Sequence, residues 1–138
     1  MSLATAVYML DTNAVSNAIK QPNGPVAQRL VSLLPGQATI SMIVEGELRY
    51  GIARASATGI EQRLDALLTY VPTIGLDLQV ARHYGTIRAA LAKAGTPIGM
   101  NDLWIAAHAV RLGLILVTDN ETEFRQVPGL ATENWQRS

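Results

Sequence analysis

The chain of 138 residues has no cysteine, one phenylalanine and only two histidines. The missing thiols exclude disulfide frameworks, zinc ribbons and thiol nucleophiles, and they suit a reducing compartment such as the cytoplasm. His83 and His108 show no His-x-x-x-His spacing and are read as ordinary surface or core residues. A charge of one sign is missing too, since eleven Lys and Arg balance eleven Asp and Glu. That removes the signature of proteins held to nucleic acid by bulk charge, without removing nucleic acid as a substrate. Long hydrophobic runs are absent, the stretch from Leu103 to Val117 being broken by His108 and Arg111. Neither a membrane span nor a signal peptide is expected. With no repeat or low-complexity tract, the length predicts one domain over residues 1–138 with a core of its own.

What is present is an alternation of short apolar runs and longer stretches of helical period. Val7 to Leu10 reads as strand one, Asn13 to Lys20 as a short helix, and Pro25 to Leu34 as a second helix stopped by Pro35-Gly36. Thr39 to Ser41 is strand two, after which the period turns helical from Met42 to Arg54. A break at Ser56 to Gly59 precedes more helix from Ile60 to Leu68. Val71 to Ile74 is a third strand weakened by Pro72. Asp77 caps a helix carrying Leu78, Ala81, Tyr84, Ile87 and Leu91, and Lys93 to Pro97 closes it. Ile98 to Asn101 reads as a loop before a helix from Asp102 to Leu112, with Gly113 as its C-cap. Leu114 to Thr118 is the most apolar strand and is expected to be central. Val127 to Asn134 supplies a last edge strand. Such alternation predicts an α/β fold of three α/β/α layers around a mainly parallel sheet of four or five strands.

Acidic residues occupy the strand ends and helix starts of this pattern. Asp11 ends strand one, Glu45 and Glu47 lie in the helix after strand two, Asp102 opens the late helix, and Asp119 follows the apolar strand. Ligand sites of open parallel sheets lie beyond the carboxyl ends of their strands. Carboxylates gathered there repel one another unless a cation or a shared proton intervenes, and hard divalent cations prefer oxygen ligands. The combination points to Mg²⁺ or Mn²⁺. Taken singly, Asp11 is equally a helix N-cap and Asp102 an early-turn carboxylate favoured by the helix dipole. Glu45 and Glu47 differ by about 200° around a helix, so only one of them faces a given site. Trp104, about 200° from Asp102, is assigned to packing. Nine of the eleven basic residues are Arg, a side chain suited to phosphate. Arg49, Arg54, Arg82 and Arg88 fall on helices, either as solvated faces or as RNA-positioning groups.

Four segments carry a family resemblance. Tyr8-Met9-Leu10-Asp11-Thr12-Asn13, the run from Ile40 to Gly51, Asn101 to Ala109, and Leu116 to Phe124 with Val127 to Leu130 and Glu133 to Trp135 look like the PIN-domain ribonucleases. Within them, the chain resembles the VapC toxins of VapBC toxin-antitoxin pairs. Nearly the whole chain is covered, and four motifs in the correct order form a specific signal.

The resemblance implies an endoribonuclease using Mg²⁺ or Mn²⁺, with Asp11, Glu47, Asp102 and Asp119 as catalytic metal-binding carboxylates. It selects Glu47 over Glu45 through the pattern Glu47-Leu48-Arg49-Tyr50-Gly51. For the fourth acid Asp119 comes first and Glu123 second, with Asn120 as a neutral ligand or supporting donor. Thr12, Asn13 and Ser41 are expected to orient the carboxylates. It further implies a homodimer, a VapB-like antitoxin, and tRNA or another structured RNA as target. A cationic antitoxin tail would place Arg on the carboxylates. Leu30, Leu33, Leu34 and Ile52 are candidates for a groove that takes its helix, or ordinary core. A PIN nuclease of RNA maturation is the near rival. A haloacid-dehalogenase-like phosphohydrolase also starts with an acid after strand one, but wants a second Asp where Asn13 stands. A dinucleotide binder lacks its Gly-x-Gly-x-x-Gly after strand one.

Overall fold

The computed structural model describes residues 3–136. Its centre is β1 (Tyr8–Leu10), which pairs in parallel with β2 (Ala38–Ser41) on one side and β4 (Ile115–Val117) on the other. Two-residue strands finish the sheet, β3 (Thr73–Ile74) beyond β2 and β5 (Thr132–Glu133) beyond β4, giving the all-parallel order β3-β2-β1-β4-β5. Pro72 thus borders an edge strand, where its missing N–H costs no ladder bond, and its carbonyl accepts from the Ile40 N–H at 3.0 Å. The apolar strand after Gly113 lies inside the sheet, but the central place belongs to β1.

Chain direction across the sheet fixes the layers. From β1 the chain passes through α1 (Thr12–Lys20) and α2 (Pro25–Val31) to β2, then through α3 (Met42–Ala55) and α4 (Thr58–Leu68) to β3. It returns over the sheet through α5 (Leu78–Ala94) and α6 (Met100–Leu112) to β4, and a short α7 (Glu121–Phe124) leads to β5. Right-handed crossovers put α1 to α4 on one face and α5 to α7 on the other. In keeping with this, α1 packs on α2, α3 and α4, while α5 runs along α6. The expected three-layer α/β/α domain with a parallel sheet is what forms.

Local chemistry explains most boundaries. Asp77 caps α5 by accepting from the Val80 N–H at 3.0 Å, and Gly95 and Gly113 end α5 and α6 in the left-handed conformation. The second helix stops at Val31 instead of Leu34, because the Ser32 hydroxyl turns back to the Arg29 carbonyl at 2.6 Å. Gly36 then makes a positive-φ turn so tight that a Cβ would lie 2.7 Å from the Leu3 side chain. The late helix begins at Met100, so Asn101 is helical and not part of the preceding loop. The last strand shrinks to Thr132–Glu133, and α7 is an element the apolar spacing did not announce.

The core fills both faces of the sheet, with Met9, Leu10, Ile40 and Leu116 fully buried between the helix layers. Trp104 serves packing, stacking on Tyr84 between α6 and α5 at 3.9 Å between ring centroids. His108 is completely buried, and its Nδ1 lies 2.8 Å from the Ser41 Oγ. Among the described residues no helix is long and apolar enough to cross a membrane.

Candidate active site

The connection after β1 moves outward in one direction and the connection after β4 in the other, so the crevice between their carboxyl ends is where an open parallel sheet receives ligands. Asp11 occupies that crevice. Its N–H donates to the Val117 carbonyl at 3.0 Å, extending the β1 and β4 pairing by one residue. Its Oδ1 accepts from the Ala14 N–H at 2.9 Å, so Asp11 caps α1 and faces the crevice at the same time. Only 6% of it is exposed. Burial raises its pKa; the Thr118 hydroxyl and the Ala14 N–H oppose that rise, and the charges of Asp119 and Glu47 add to it.

α3 delivers Glu47. One oxygen accepts a hydrogen bond from the Thr12 hydroxyl and the other from the Asn101 Nδ2 at 3.1 Å, so both are held in place from α1 and α6. Glu45 points elsewhere, accepting from the Thr73 hydroxyl at 2.6 Å and pairing with Arg49 at 3.3 Å. The two glutamates therefore divide as the helical angle requires. Asp102, in the first turn of α6, completes the centre. Its pKa is pushed up to about 6 by burial first, then by the charge and hydrogen bond of Glu123, then by the charges of Glu47 and Asp11.

The competition between Asp119 and Glu123 ends with both at the crevice, on different neighbours. Asp119, exposed just after β4, acts on Asp11, while α7 carries Glu123 back to Asp102. Asn120 sits between them, donating from Nδ2 to Glu123 Oε2 at 2.6 Å and from its N–H to the Thr118 hydroxyl at 3.0 Å. Thr12 does bind a site carboxylate. Asn13 is exposed and makes no side-chain hydrogen bond among the described residues. Ser41 does not orient the acids. Its hydroxyl accepts from the Ile43 N–H at 3.1 Å to cap α3 and faces His108. Asn101 and Thr118 are the site residues that sequence reasoning missed. Asn101 stood in plain view beside Asp102, but a neutral amide in an assumed loop gives no signal of its partner across 54 positions.

Asp11, Glu47, Asp102, Asp119 and Glu123 make no ion pair among the described residues. Arg49, the nearest arginine along α3, is taken by Glu45, Glu61 and Asp65. Repulsion within an unpaired, partly buried acid group is relieved by a proton or by a cation. Among the described residues no three acidic or histidine side chains already form an ion-binding cage. An all-oxygen donor set of this kind fits Mg²⁺, which keeps several waters and needs only one or two carboxylates in direct contact.

Clefts extend from this centre. On the Glu47 side one of about 680 Å³ runs past Thr12, Met42, Tyr50 and Asn101. Beside it an apolar groove of about 450 Å³ lies among α1, α3 and α4, floored by Ile19, Leu48, Ile52, Ile60 and Leu64, with Thr12 and Glu47 also in its lining. Of the four apolar residues suggested by sequence for such a groove, only Ile52 lines it. Leu30 is core, Leu33 is partly buried against the core, and Leu34 is exposed at 64%.

The sequence pattern of the PIN domain matches residues 8–130. The chain is 36% identical over 133 residues to ribonuclease VapC2 of Rickettsia felis, covering 95% of this chain and 99% of that one. It is 40% identical over 131 residues to the tRNA(fMet)-specific endonuclease VapC of Shigella flexneri, covering 93% and 97%. Among solved structures, VapBC2 of Rickettsia felis bound to a promoter DNA fragment aligns with a TM-score of 0.86 at 36% identity, over 94% of this chain and 98% of that chain. DNA-bound VapBC from Salmonella typhimurium aligns with a TM-score of 0.85 at 35% identity, over 95% and 99%.

Proposed function

The chain belongs to the PIN-domain family as an endoribonuclease of VapC type, the toxin of a toxin-antitoxin pair, and on that premise we propose that it cleaves tRNA or another structured RNA with Mg²⁺ or Mn²⁺. One observation carries the reading. Four separate segments converge five carboxylates on the β1 and β4 crevice, and among the described residues none of the five has a basic partner. An arrangement that raises the pKa of its own acids is destabilising unless an external cation belongs there.

Asp11, Glu47, Asp102 and Asp119 would hold the ion. Bound there, a divalent cation supplies an activated water and relief of charge on the phosphate oxygens. The protein's own part is positional. Ala14 fixes Asp11, and Thr12 with Asn101 fixes Glu47, so the donors need not reorganise as RNA arrives. Without the ion, burial and then Glu123 raise the Asp102 carboxyl to about 6, a strain that a bound cation would relieve.

Restraint by a VapB-like antitoxin follows from the same surface. An amphipathic helix laid on Ile19, Leu48, Ile52, Ile60 and Leu64 would bring a trailing Arg to Glu47, where charge-assisted hydrogen bonds displace both cation and RNA. A homodimer would pair through the exposed Met42, Tyr50, Leu78 and Met100. Action on cellular RNA puts the reaction in the cytoplasm. The deciding experiment measures RNA cleavage by antitoxin-free protein with and without Mg²⁺, beside Asp11→Asn. Cleavage should need the cation and fall at least about a hundredfold in the variant, with circular dichroism unchanged, because even groups that only support metal ligands are worth 10 to 100-fold. Parental cleavage by Asp11→Asn would sink the metal site.

A further inference from the structure

We infer that the cleft between residues 95–99 and α7 is a nucleotide-reading subsite, receiving one ribonucleotide that flanks the scissile phosphate, with Thr122 and Gln126 at the base and Arg125 at the next phosphate outward. The inference rests on the ribonuclease reading above and adds the place where sequence preference arises.

This cleft, about 460 Å³, lies on the Glu123 side of the acids, away from Thr12 and Tyr50. Glu123 and Asn120 form its inner end, so whatever fills it abuts the reacting phosphate. Gly99 lines the same end, and a Cβ there would stand 3.8 Å from Asp102 Oδ2, so this end of the cleft adjoins the acids. Beyond that end the side chains are neutral, with Thr96, Thr122 and Gln126 offering hydroxyl and amide groups. Such groups suit the edge of an unstacked base, which carries donors and acceptors but no charge, and they suit a phosphate poorly.

The charge appears one step further out. Across α7 a hollow shares Thr122 and Gln126 with the cleft and adds Arg125, which is exposed and makes no ion pair among the described residues. A neutral cleft with room for a nucleotide, followed by an unpaired guanidinium, is the order in which a single strand presents base and phosphate. Unlike Arg49, which is paired with Glu45, Glu61 and Asp65, Arg125 is available for that contact. The platform is rigid. Phe124 and Val127, 1% and 3% exposed, anchor α7 in the core on either side of the reading residues, and the Val127 N–H closes a turn on the Phe124 carbonyl at 3.0 Å.

The test first maps where the parental protein with Mg²⁺ cuts a panel of RNA oligonucleotides, then varies the base at each position around the cut. Thr122→Ala and Gln126→Ala should lose about tenfold in kcat/KM for the preferred base at one flanking position, the size of one hydrogen bond, with little change for the other bases. Arg125→Ala, measured in an Asp11→Asn background so that the RNA survives, should weaken binding of every sequence alike. Its plot of log K against log salt should lose about 0.7 of slope. Parental discrimination at every position in both cleft variants overturns the inference, as does a uniform loss at all of them. Loss of inhibition by the antitoxin with base preference intact would make the cleft a protein-docking site, which also overturns it. A parental protein that cuts no RNA removes the ribonuclease reading itself.

Discussion

Helix α3 presents two acidic groups to its surroundings, and they have opposite fates. Glu45 joins Glu61 and Asp65 around a single guanidinium, Arg49, with nitrogen to oxygen distances of 3.3, 3.7 and 2.8 Å. Glu47, two residues on, joins Asp11, Asp102, Asp119 and Glu123, and among the described residues no Lys, Arg or His pairs with any of them. In the first group one guanidinium reaches all three carboxylates, so each acid has a partner within the fold. In the second the described residues supply oxygen donors and neutral clamps, Thr12 and Asn101 fixing where the Glu47 oxygens point. An acid group gathered on its own arginine is architecture; one without such a partner among the described residues is where the proposed cation would sit.

The sharpest way to break that contrast is to neutralise one member of each group. Glu47→Gln should cut RNA cleavage at least about a hundredfold, the upper range for groups that merely orient ligands being already of that size. Glu45→Gln should leave cleavage within about twofold, since its carboxylate bonds Thr73 and Arg49 and not the crevice. Equal losses in matched assays would mean that α3 turns its other face to the reaction. Asn101→Ala comes next, since freeing one Glu47 oxygen should weaken Mg²⁺ binding about tenfold. Titration followed by calorimetry checks this without any RNA, and an unchanged affinity would remove Asn101 from the site.

How far this division was legible in the sequence depends on the kind of residue. Alternating apolar runs announced the strands and most helices, since burial imposes periodicity over many residues at once. Four-residue α7 has no room for a period, and Leu33 and Leu34 extended the apparent second helix past the Ser32 turn that ends it. Among the acids, position at strand ends and the family pattern marked Asp11, Glu47, Asp102 and Asp119. The way α7 folds Glu123 onto Asp102 was beyond reach, because it depends on where a single short turn points. Neutral partners were hardest. Asn101 carries no charge to notice, and Ser41 was expected at the carboxylates when its hydroxyl faces His108, 67 positions away.

Without a divalent cation, the unpaired group should also leave a mark on stability. The Asp102 carboxyl is raised from 3.8 to about 6, so between those values the folded protein holds a proton that the unfolded chain gives up. The stabilisation is complete below about pH 4 and is lost as pH rises through about 6. His108, lowered by burial, acts in the other direction, its stabilisation being present above about 6.5 and lost as pH falls below that towards its depressed folded value. Comparing urea midpoints of parent and Asp102→Asn in chelator cancels the histidine. The two should agree near pH 4, the variant should be more stable at pH 7, and added Mg²⁺ should narrow the gap. A difference that does not change with pH would mean that Asp102 is not strained by its neighbours.

The smallest effect belongs to the paired group, and it completes the contrast. Arg49 and its acids are partly exposed, with side-chain exposures of 36%, 30%, 48% and 58% for Arg49, Glu45, Glu61 and Asp65. Water screens such pairs, and the three together are worth about 1 kcal/mol. Arg49→Ala should therefore lower the melting temperature by only about 3 °C, part of that from the mutual repulsion of three acids left without their cation. Cleavage of RNA and its salt dependence should stay at the parental level, because a guanidinium already shared among three carboxylates has little to offer a phosphate. Measuring thermal unfolding and cleavage on one preparation separates the outcomes. A variant that melts like the parent but cuts poorly would show that Arg49 leaves its acids to meet the substrate, and the two acidic groups of α3 would then form one continuous working surface.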